Sequence, residues 1–261
     1  MRTFKVTAAL AAAAASLSLA ACAAGAPTSL DAVRDKGRIV VGTEGTYRPF
    51  SFHENGVGEL TGYDVEITEA VADKLGVEAQ FEEAQWDALF AGLNAGRFAM
   101  VANQVSITPE REDSYEFSEP YTVSPGVIVV REGDSAITSF ADLSGKTTAQ
   151  SLASNWYTLA QENGASVEAV EGWSQSVSLL EQGRVDATVN DRLTFLDYML
   201  QTPDAPIQVA AETGDPALMA FAFAKDNTEL RNAVNAALQE LRDDGTLAEI
   251  SIKYFGEDVS Q

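Results

Sequence analysis

The sequence predicts an α/β protein of two lobes, with the chain crossing twice between them. Three observations lead there. Short β-branched runs alternate with helical periodicities; two apolar runs, residues 126–130 and 217–224, bracket a central segment; and 261 residues, 46% of them hydrophobic, suffice for one large or two modest domains.

In chain order, Arg38-Ile39-Val40-Val41-Gly42 reads as a strand, and Ile67, Ala70, Val71 and Leu75 share one face of a helix that Gly76 ends. Residues 77–81 alternate as a strand. Leu89 and Leu93 stand one turn apart in a helix over 87–94, Gly96 stops it, and residues 98–102 form a buried-strand run. This alternation argues for a lobe with a mainly parallel sheet. The run Gly126-Val127-Ile128-Val129-Val130 opens a second series. Ser174 is expected to cap a helix bearing Val177 and Leu180 that Gly183 ends, and residues 185–189 form a strand. After 217–224, the residues Leu230, Val234, Leu238 and Leu241 repeat at helical spacing up to Gly245. The pattern places lobe 1 at 38–126 plus 221–261, with the C-terminal helices returning to it. Lobe 2, with the hinge strands, takes 127–220.

Composition excludes much chemistry. The chain has 39 Asp+Glu against 17 Lys+Arg, a formal net charge of −22, and no basic run, so nucleic acid and anionic membrane surfaces are poor partners. One cysteine excludes an internal disulfide and multi-Cys metal sites, and one histidine excludes two-His zinc sites. No metal or cofactor is expected. Gly56, Gly58 and Gly62 miss the spacing of a dinucleotide fingerprint, and residues 52–56 read as a hairpin turn. Gly145-Lys146-Thr147 matches the tail of a phosphate-binding loop, but Phe140 stands where its first glycine belongs. His53, among polar turn residues with no nucleophile beside it, is expected to be solvent-exposed and without a catalytic role.

The N-terminus reads as an address. Arg2 and Lys5 precede an apolar run from Val6 to Ala21, a secretory signal over residues 1–21. Leu19-Ala20-Ala21-Cys22-Ala23 looks like a bacterial lipobox, with cleavage before Cys22 and a diacylglyceryl thioether on its sulfur. Ordinary cleavage that leaves a free thiol, and an uncleaved anchor, are the alternatives; all three put the body outside the inner membrane. Residues 22–37 are then expected to be the lipidated cysteine and a tether, small residues with Pro27 leading into the folded part. Without residues 1–21 the net charge becomes −24, from 15 Lys+Arg against 39 Asp+Glu.

Asn103-Gln104-Val105-Ser106-Ile107-Thr108-Pro109-Glu110-Arg111 follows the strand at 98–102, and the C-terminal ends of α/β strands are where ligand sites form. Arg111 offers a planar fork for a carboxylate, with Gln104 and Ser106 as donors nearby. The same residues also read as an exposed helix start with Pro109 at its first position. Asp191, following the strand at 185–189, is an acid at the comparable place in the other lobe, or equally a helix N-cap.

Several strings together resemble one family. They are Gly42-Thr43-Glu44-Gly45-Thr46-Tyr47-Arg48-Pro49-Phe50-Ser51-Phe52, Gly62-Tyr63-Asp64-Val65, Trp86-Asp87-Ala88-Leu89, Ser106-Ile107-Thr108-Pro109-Glu110-Arg111, Phe117-Ser118-Glu119-Pro120-Tyr121, Gly183-Arg184-Val185-Asp186-Ala187, and the ending from Asp244-Gly245-Thr246 to Lys253-Tyr254-Phe255-Gly256. In this order, over residues 38 to 256, they resemble the family 3 extracellular solute-binding proteins, the polar amino-acid receptors of ABC importers. The resemblance implies the two-lobed periplasmic-binding-protein type II fold with two hinge crossings, no enzymatic activity, an ABC permease as membrane partner, and a monomer.

It also implies roles. Arg111 matches the arginine that grips the ligand α-carboxylate, assisted by Ser106 and the backbone around Gln104. Asp191 matches the acid that takes the α-ammonium. Tyr47 and Trp86 match the positions that sandwich the ligand side chain, Trp86 being otherwise a core anchor of its helix. Glu44 sits where side-chain polarity is tuned, and Ser154 and Asn155 match a polar pair at a second-lobe helix N-terminus. Ala153-Ser154-Asn155 departs from the commoner Gly-Thr-Thr. With Ala102-Asn103-Gln104-Val105 and Thr188-Val189-Asn190-Asp191 it resembles the cystine-binding branch. Cystine has a second zwitterionic end, for which Glu44, Gln104 and Asn155 are candidates. Arginine, glutamine and glutamate remain competing ligands, and a cyclohexadienyl-dehydratase-like enzyme on the same fold is the competing class. With the cation on one lobe and the anion on the other, a zwitterion would bridge the lobes and stabilise their closure.

Overall fold

The computed structural model describes residues 28–261, so the expected signal at 1–21 and the lipidation site Cys22 lie outside the described residues. Within them, much of the expected tether is a helix, α1 (Leu30–Lys36). Its ends carry the reason: Ser29 Oγ accepts from the Ala32 N–H, Asp31 stands in the first turn, Arg34 and Lys36 in the last, and Gly37 closes it in the left-handed conformation. Val33 anchors it with no exposed surface.

The chain continues through β1 (Arg38–Thr43), the short strands β2 (Thr46–Tyr47), β3 (Ser51–His53) and β4 (Leu60–Thr61), then α2 (Tyr63–Leu75), β5 (Glu78–Glu83), α3 (Trp86–Asn94), β6 (Met100–Ser106), α4 (Pro109–Glu112), β7 (Tyr115–Phe117) and β8 (Thr122–Ser124). It crosses at Pro125 into β9 (Gly126–Arg131), followed by β10 (Thr147–Gln150), α5 (Asn155–Glu162), β11 (Ser166–Ala169), α6 (Trp173–Glu181), β12 (Ala187–Asp191), α7 (Arg192–Gln201) and β13 (Ile207–Glu212). It then returns into β14 (Ala217–Ala224), α8 (Thr228–Asp243) and α9 (Thr246–Phe255).

Two principal sheets result, ordered β5-β1-β6-β14-β7 with β8 also on β14, and β11-β10-β12-β9-β13. Both are mixed, which corrects the expectation of a mainly parallel sheet. β1 runs parallel to β5 and β6, and β10 to β11 and β12, whereas β14 and β9 enter antiparallel because they arrive by the crossings rather than by a helical connection. Ala217 already pairs with Ser124 of the first sheet, so the return precedes the boundary expected at 221.

Each lobe has its own core. The first gathers Val41, Val71, Phe221 and the α8 stripe Leu230, Val234, Leu238 and Leu241, which brings the C-terminal helices back to it; the second includes Val129, Val177, Leu180 and Phe195. α6 starts two residues earlier than expected, with Gly172 and not Ser174 at its N-cap. His53 reaches solvent as expected, while its Nδ1 stands 2.7 Å from Gly58 O and its Nε2 3.0 Å from Glu83.

Candidate functional site

Residues at or near the C-terminal ends of β1, β6, β10 and β12, namely Glu44, Gln104, Gln150 and Asn190, meet around one space. A cavity of about 420 Å³ lies between the lobes; Glu44, Tyr47, Trp86 and Gln104 from the first and Ser154, Asn155, Gln150 and Trp173 from the second are among its walls. A volume of this size suits a small organic ligand.

Asn103 positions Glu44. Its Oδ1 accepts the Glu44 N–H at 2.8 Å, and its Nδ2 donates to Glu44 Oε2 at 2.6 Å. Burial at the cleft, opposed by the Asn103 bond and reinforced by Asp87, lifts the Glu44 carboxyl to about 7. The Tyr47 hydroxyl donates to Asn190 Oδ1 at 3.1 Å and lies 2.9 Å from Thr194 Oγ1, so this first-lobe ring is tied to the second lobe. Trp86 serves both of its expected readings: only 8% exposed, it packs in a cluster with Leu89 and Phe98, and it also forms a cavity wall.

Gln104 sits in a left-handed conformation, φ 48°, within β6. That turns its N–H out of the ladder and onto Asp64 Oδ2 at 2.7 Å, while its Nε2 donates to Asp64 Oδ1 at 2.6 Å. Asp64 comes from the first turn of α2, whose start needs Gly62: at φ 133°, a Cβ there would stand 2.2 Å from Phe50 O. Burial raises the Asp64 carboxyl to about 7 against the pull of the Gln104 bonds.

Arg111, Ser106 and Asp191 do not line this cavity. Thr108 caps α4, which presents Arg111, 9% exposed; its guanidinium donates to Ser106 O at 2.9 Å and, across the lobes, to Ala153 O at 3.1 Å. Trp86 and Phe90 stand 5.4 and 5.3 Å from it, and burial lowers its pKa to about 10. Arg111 opens onto an adjoining cavity that shares Ser154, Asn155 and Trp156 with the first. Ser154 is the N-cap of α5, accepting from Trp156 N–H, and Asn155 begins that helix.

Asp191 ends β12 and caps α7, the N-cap reading of the sequence. Its Oδ1 accepts from Leu193 N–H at 2.7 Å and from Ser124 Oγ at 2.8 Å, the latter across the crossing point. Among the described residues, its Oδ2 is buried without a partner, and burial lifts the carboxyl to about 7. Sequence reasoning assigns no role to Asp64 or Asn103, although both stand in the strings it singles out. It also misses Gln150, Trp173, Asn190 and Thr194; of these, the end of a strand run marks Asn190 and nothing marks Trp173.

Known proteins share this fold. The chain is 49% identical over 88% of its length, and 85% of the relative's, to a Bacillus subtilis protein named L-cystine-binding protein TcyA. The unliganded, open L-cystine solute receptor of Neisseria gonorrhoeae is 45% identical, covers 89% of this chain with 99% of its own, and superposes with a TM-score of 0.60. An ancestral arginine-binding protein bound to arginine, 36% identical over 84% of this chain and 99% of its own, superposes better, at 0.78. The more similar sequence is the poorer superposition, as expected when lobes move as rigid bodies and this chain has them together. The cross-lobe bonds of Tyr47 and Arg111 agree with that closed arrangement. The model of one family matches residues 39–257, nearly the whole of the described fold, and with these relatives it shows that the chain belongs to the bacterial extracellular solute-binding proteins, family 3.

Proposed function

We propose that this protein captures L-cystine outside the cytoplasmic membrane and delivers it to an ABC permease. Its likeness to proteins named for L-cystine, at 49% and 45% identity against 36% for the ancestral arginine-binding protein, carries the choice of ligand. The cavity supports it. Trp86 and Gln104 line the cavity, and among the described residues Trp86 Nε1 and Gln104 Oε1 are buried without partners, a donor and an acceptor for a polar ligand.

In this reading Arg111 keeps its bond to Ser106 O and turns its remaining donors from Ala153 O to the α-carboxylate, which the α5 N-terminus at Ser154 and Asn155 also faces. Asp191 Oδ2 accepts the α-ammonium, and Tyr47 and Trp86 flank the side chain. Pairing both charges with one zwitterion offsets the cost of burying them. The protein acts as a binding protein without catalysis, as a monomer, tethered by a lipid on Cys22; intact-mass measurement of the membrane-extracted chain tests the tether.

The deciding experiment is isothermal titration calorimetry on protein freed of carried-over ligand by unfolding and refolding. Cystine is expected to bind one-to-one, in the micromolar range or tighter (about −8 kcal/mol or better), with arginine, glutamine and glutamate far weaker. Preference for one of these three would reject cystine and keep an amino-acid receptor. Failure of all four, with turnover of prephenate or arogenate, would reject the receptor.

A further inference from the structure

The far side of the cavity carries a second constellation, built mostly from the other lobe. Gln150, at the end of β10, is 3% exposed, lines the cavity, and among the described residues its Nε2 has no partner. Trp173 opens α6, packs edge-on against Tyr198 at 5.9 Å, and its Nε1 is buried and equally unpartnered. The N-terminus of α6 forms the same wall through Gly172, Trp173, Ser174 and Gln175. No side chain caps it and its first turn holds no acid. Two residues with unpartnered buried N–H groups and an uncapped helix N-terminus thus line one wall, a set of donors that a carboxylate would satisfy.

An acceptor stands beside them. Glu44 reaches across from the first lobe, its Oε2 occupied by Asn103, its Oε1 3.8 Å from where a Cβ on Gly172 would be. Closure therefore sets Glu44 against a cluster of donors, with Glu171 on the same wall. A lone cationic side chain would match Glu44 and leave Gln150 and Trp173 unpaired. A group with an ammonium and a carboxylate on one carbon matches both.

We propose that Gln150, Trp173 and the α6 N-terminus form a second carboxylate subsite, paired with Glu44 for an adjacent ammonium, so that the cavity selects ligands with an amino-acid group at each end. This rests on the receptor reading above. It adds to the Arg111 and Asp191 end a set of residues that recognises the opposite end.

The test compares three ligands by calorimetry. L-Cystine and its dicarba analogue L,L-2,7-diaminosuberate keep the distal carboxylate; the mixed disulfide of cysteine with cysteamine lacks it. Wild-type protein is expected to prefer the first two by about ten- to a hundredfold, the range of hydrogen bonds to a charged group. Gln150→Leu combined with Trp173→Phe should bring all three within threefold, through a loss of affinity for cystine and diaminosuberate larger than any change for the mixed disulfide. Gln150→Glu, of nearly the same shape, should repel the carboxylate and so weaken cystine far more than the mixed disulfide. Its thermal unfolding, read beside that of the double variant, guards against a folding defect. If wild-type protein binds cystine and the mixed disulfide within threefold, the subsite is overturned and the receptor reading stands. Proportional weakening of all three ligands in the folded variants also overturns it. No binding of any of the three overturns both.

Discussion

Asp64 gives both carboxylate oxygens to one residue. Gln104 lies in a left-handed conformation inside a buried strand, so its N–H has left the ladder, and a buried N–H without an acceptor costs about 1–3 kcal/mol. Asp64→Asn keeps one acceptor oxygen and sets an NH2 group against a donor. We expect a loss of about 2–3 kcal/mol in urea unfolding, with roughly tenfold weaker cystine binding because Gln104 forms part of the cavity wall. Stability within 0.5 kcal/mol of wild type (about the measurement scatter) would show that the clamp is dispensable. Arg111→Ala is expected to remove measurable cystine binding, about 2–5 kcal/mol; near-normal affinity in calorimetry would end the proposed role of this residue. The fork of Arg111 and the acid of Asp191 are legible from their own chemistry, whereas the rings of Tyr47 and Trp86 gain a role only through the resemblance of the strings around them. Asp64 and Asn103 are not legible in this way. They act through Gln104 and Glu44, 40 and 59 positions away, and sequence spacing says nothing of partners at that distance.

α5 owes its position to a missing side chain on another element. A Cβ on Gly126, the first residue of β9, would come 2.3 Å from Trp156 Cζ3 and 3.2 Å from Thr213 Cγ2. The indole fills that space and fixes the first turn of α5, where Ser154 and Asn155 face the ligand cavity. Gly126→Ala should displace the ring, costing about 1–3 kcal/mol of stability and weakening cystine binding, and Trp156→Leu in the same chain should restore most of the stability. Urea unfolding of the single and double variants decides it; an unaltered single variant would mean that the ring is not held by Gly126. At this scale the sequence is readable where a pattern repeats, as in the α8 stripe from Leu230 to Leu241, all fully or almost fully buried. It is less so where ends decide. α1 falls within the expected tether although Ser29 and Gly37 mark its limits, because seven residues with little apolar periodicity give a weak signal. Strand direction is hidden too, since whether β14 runs with or against β6 depends on the route of the crossing and not on its side chains.

Over the whole molecule, three carboxylates at or beside the junction are held near 7: Asp191, Glu44 and Asp64, each raised first of all by burial. The folded state therefore binds more protons than the unfolded one between the ordinary carboxylate range, about 4, and about 7. Ligand-free stability must fall as pH rises through that window, and above it the penalty is complete. The proposed ligand reverses the sign at two of the three groups. An ammonium at Asp191 and another at Glu44 favour the ionised forms, so binding releases protons and affinity rises from pH 5 to 7.5. Asp64, bonded to Gln104, belongs to the stability slope alone. At constant ionic strength, the ligand-free Tm should be a few degrees higher at pH 5 than at pH 7.5, while the increase in Tm on adding cystine should be larger at pH 7.5. Calorimetry at pH 6.5 in two buffers of different ionisation enthalpy reads the released protons directly. Asp191→Asn should remove part of that release and flatten the dependence of affinity on pH. A Kd independent of pH, with no dependence on buffer, would mean that neither carboxylate receives an ammonium.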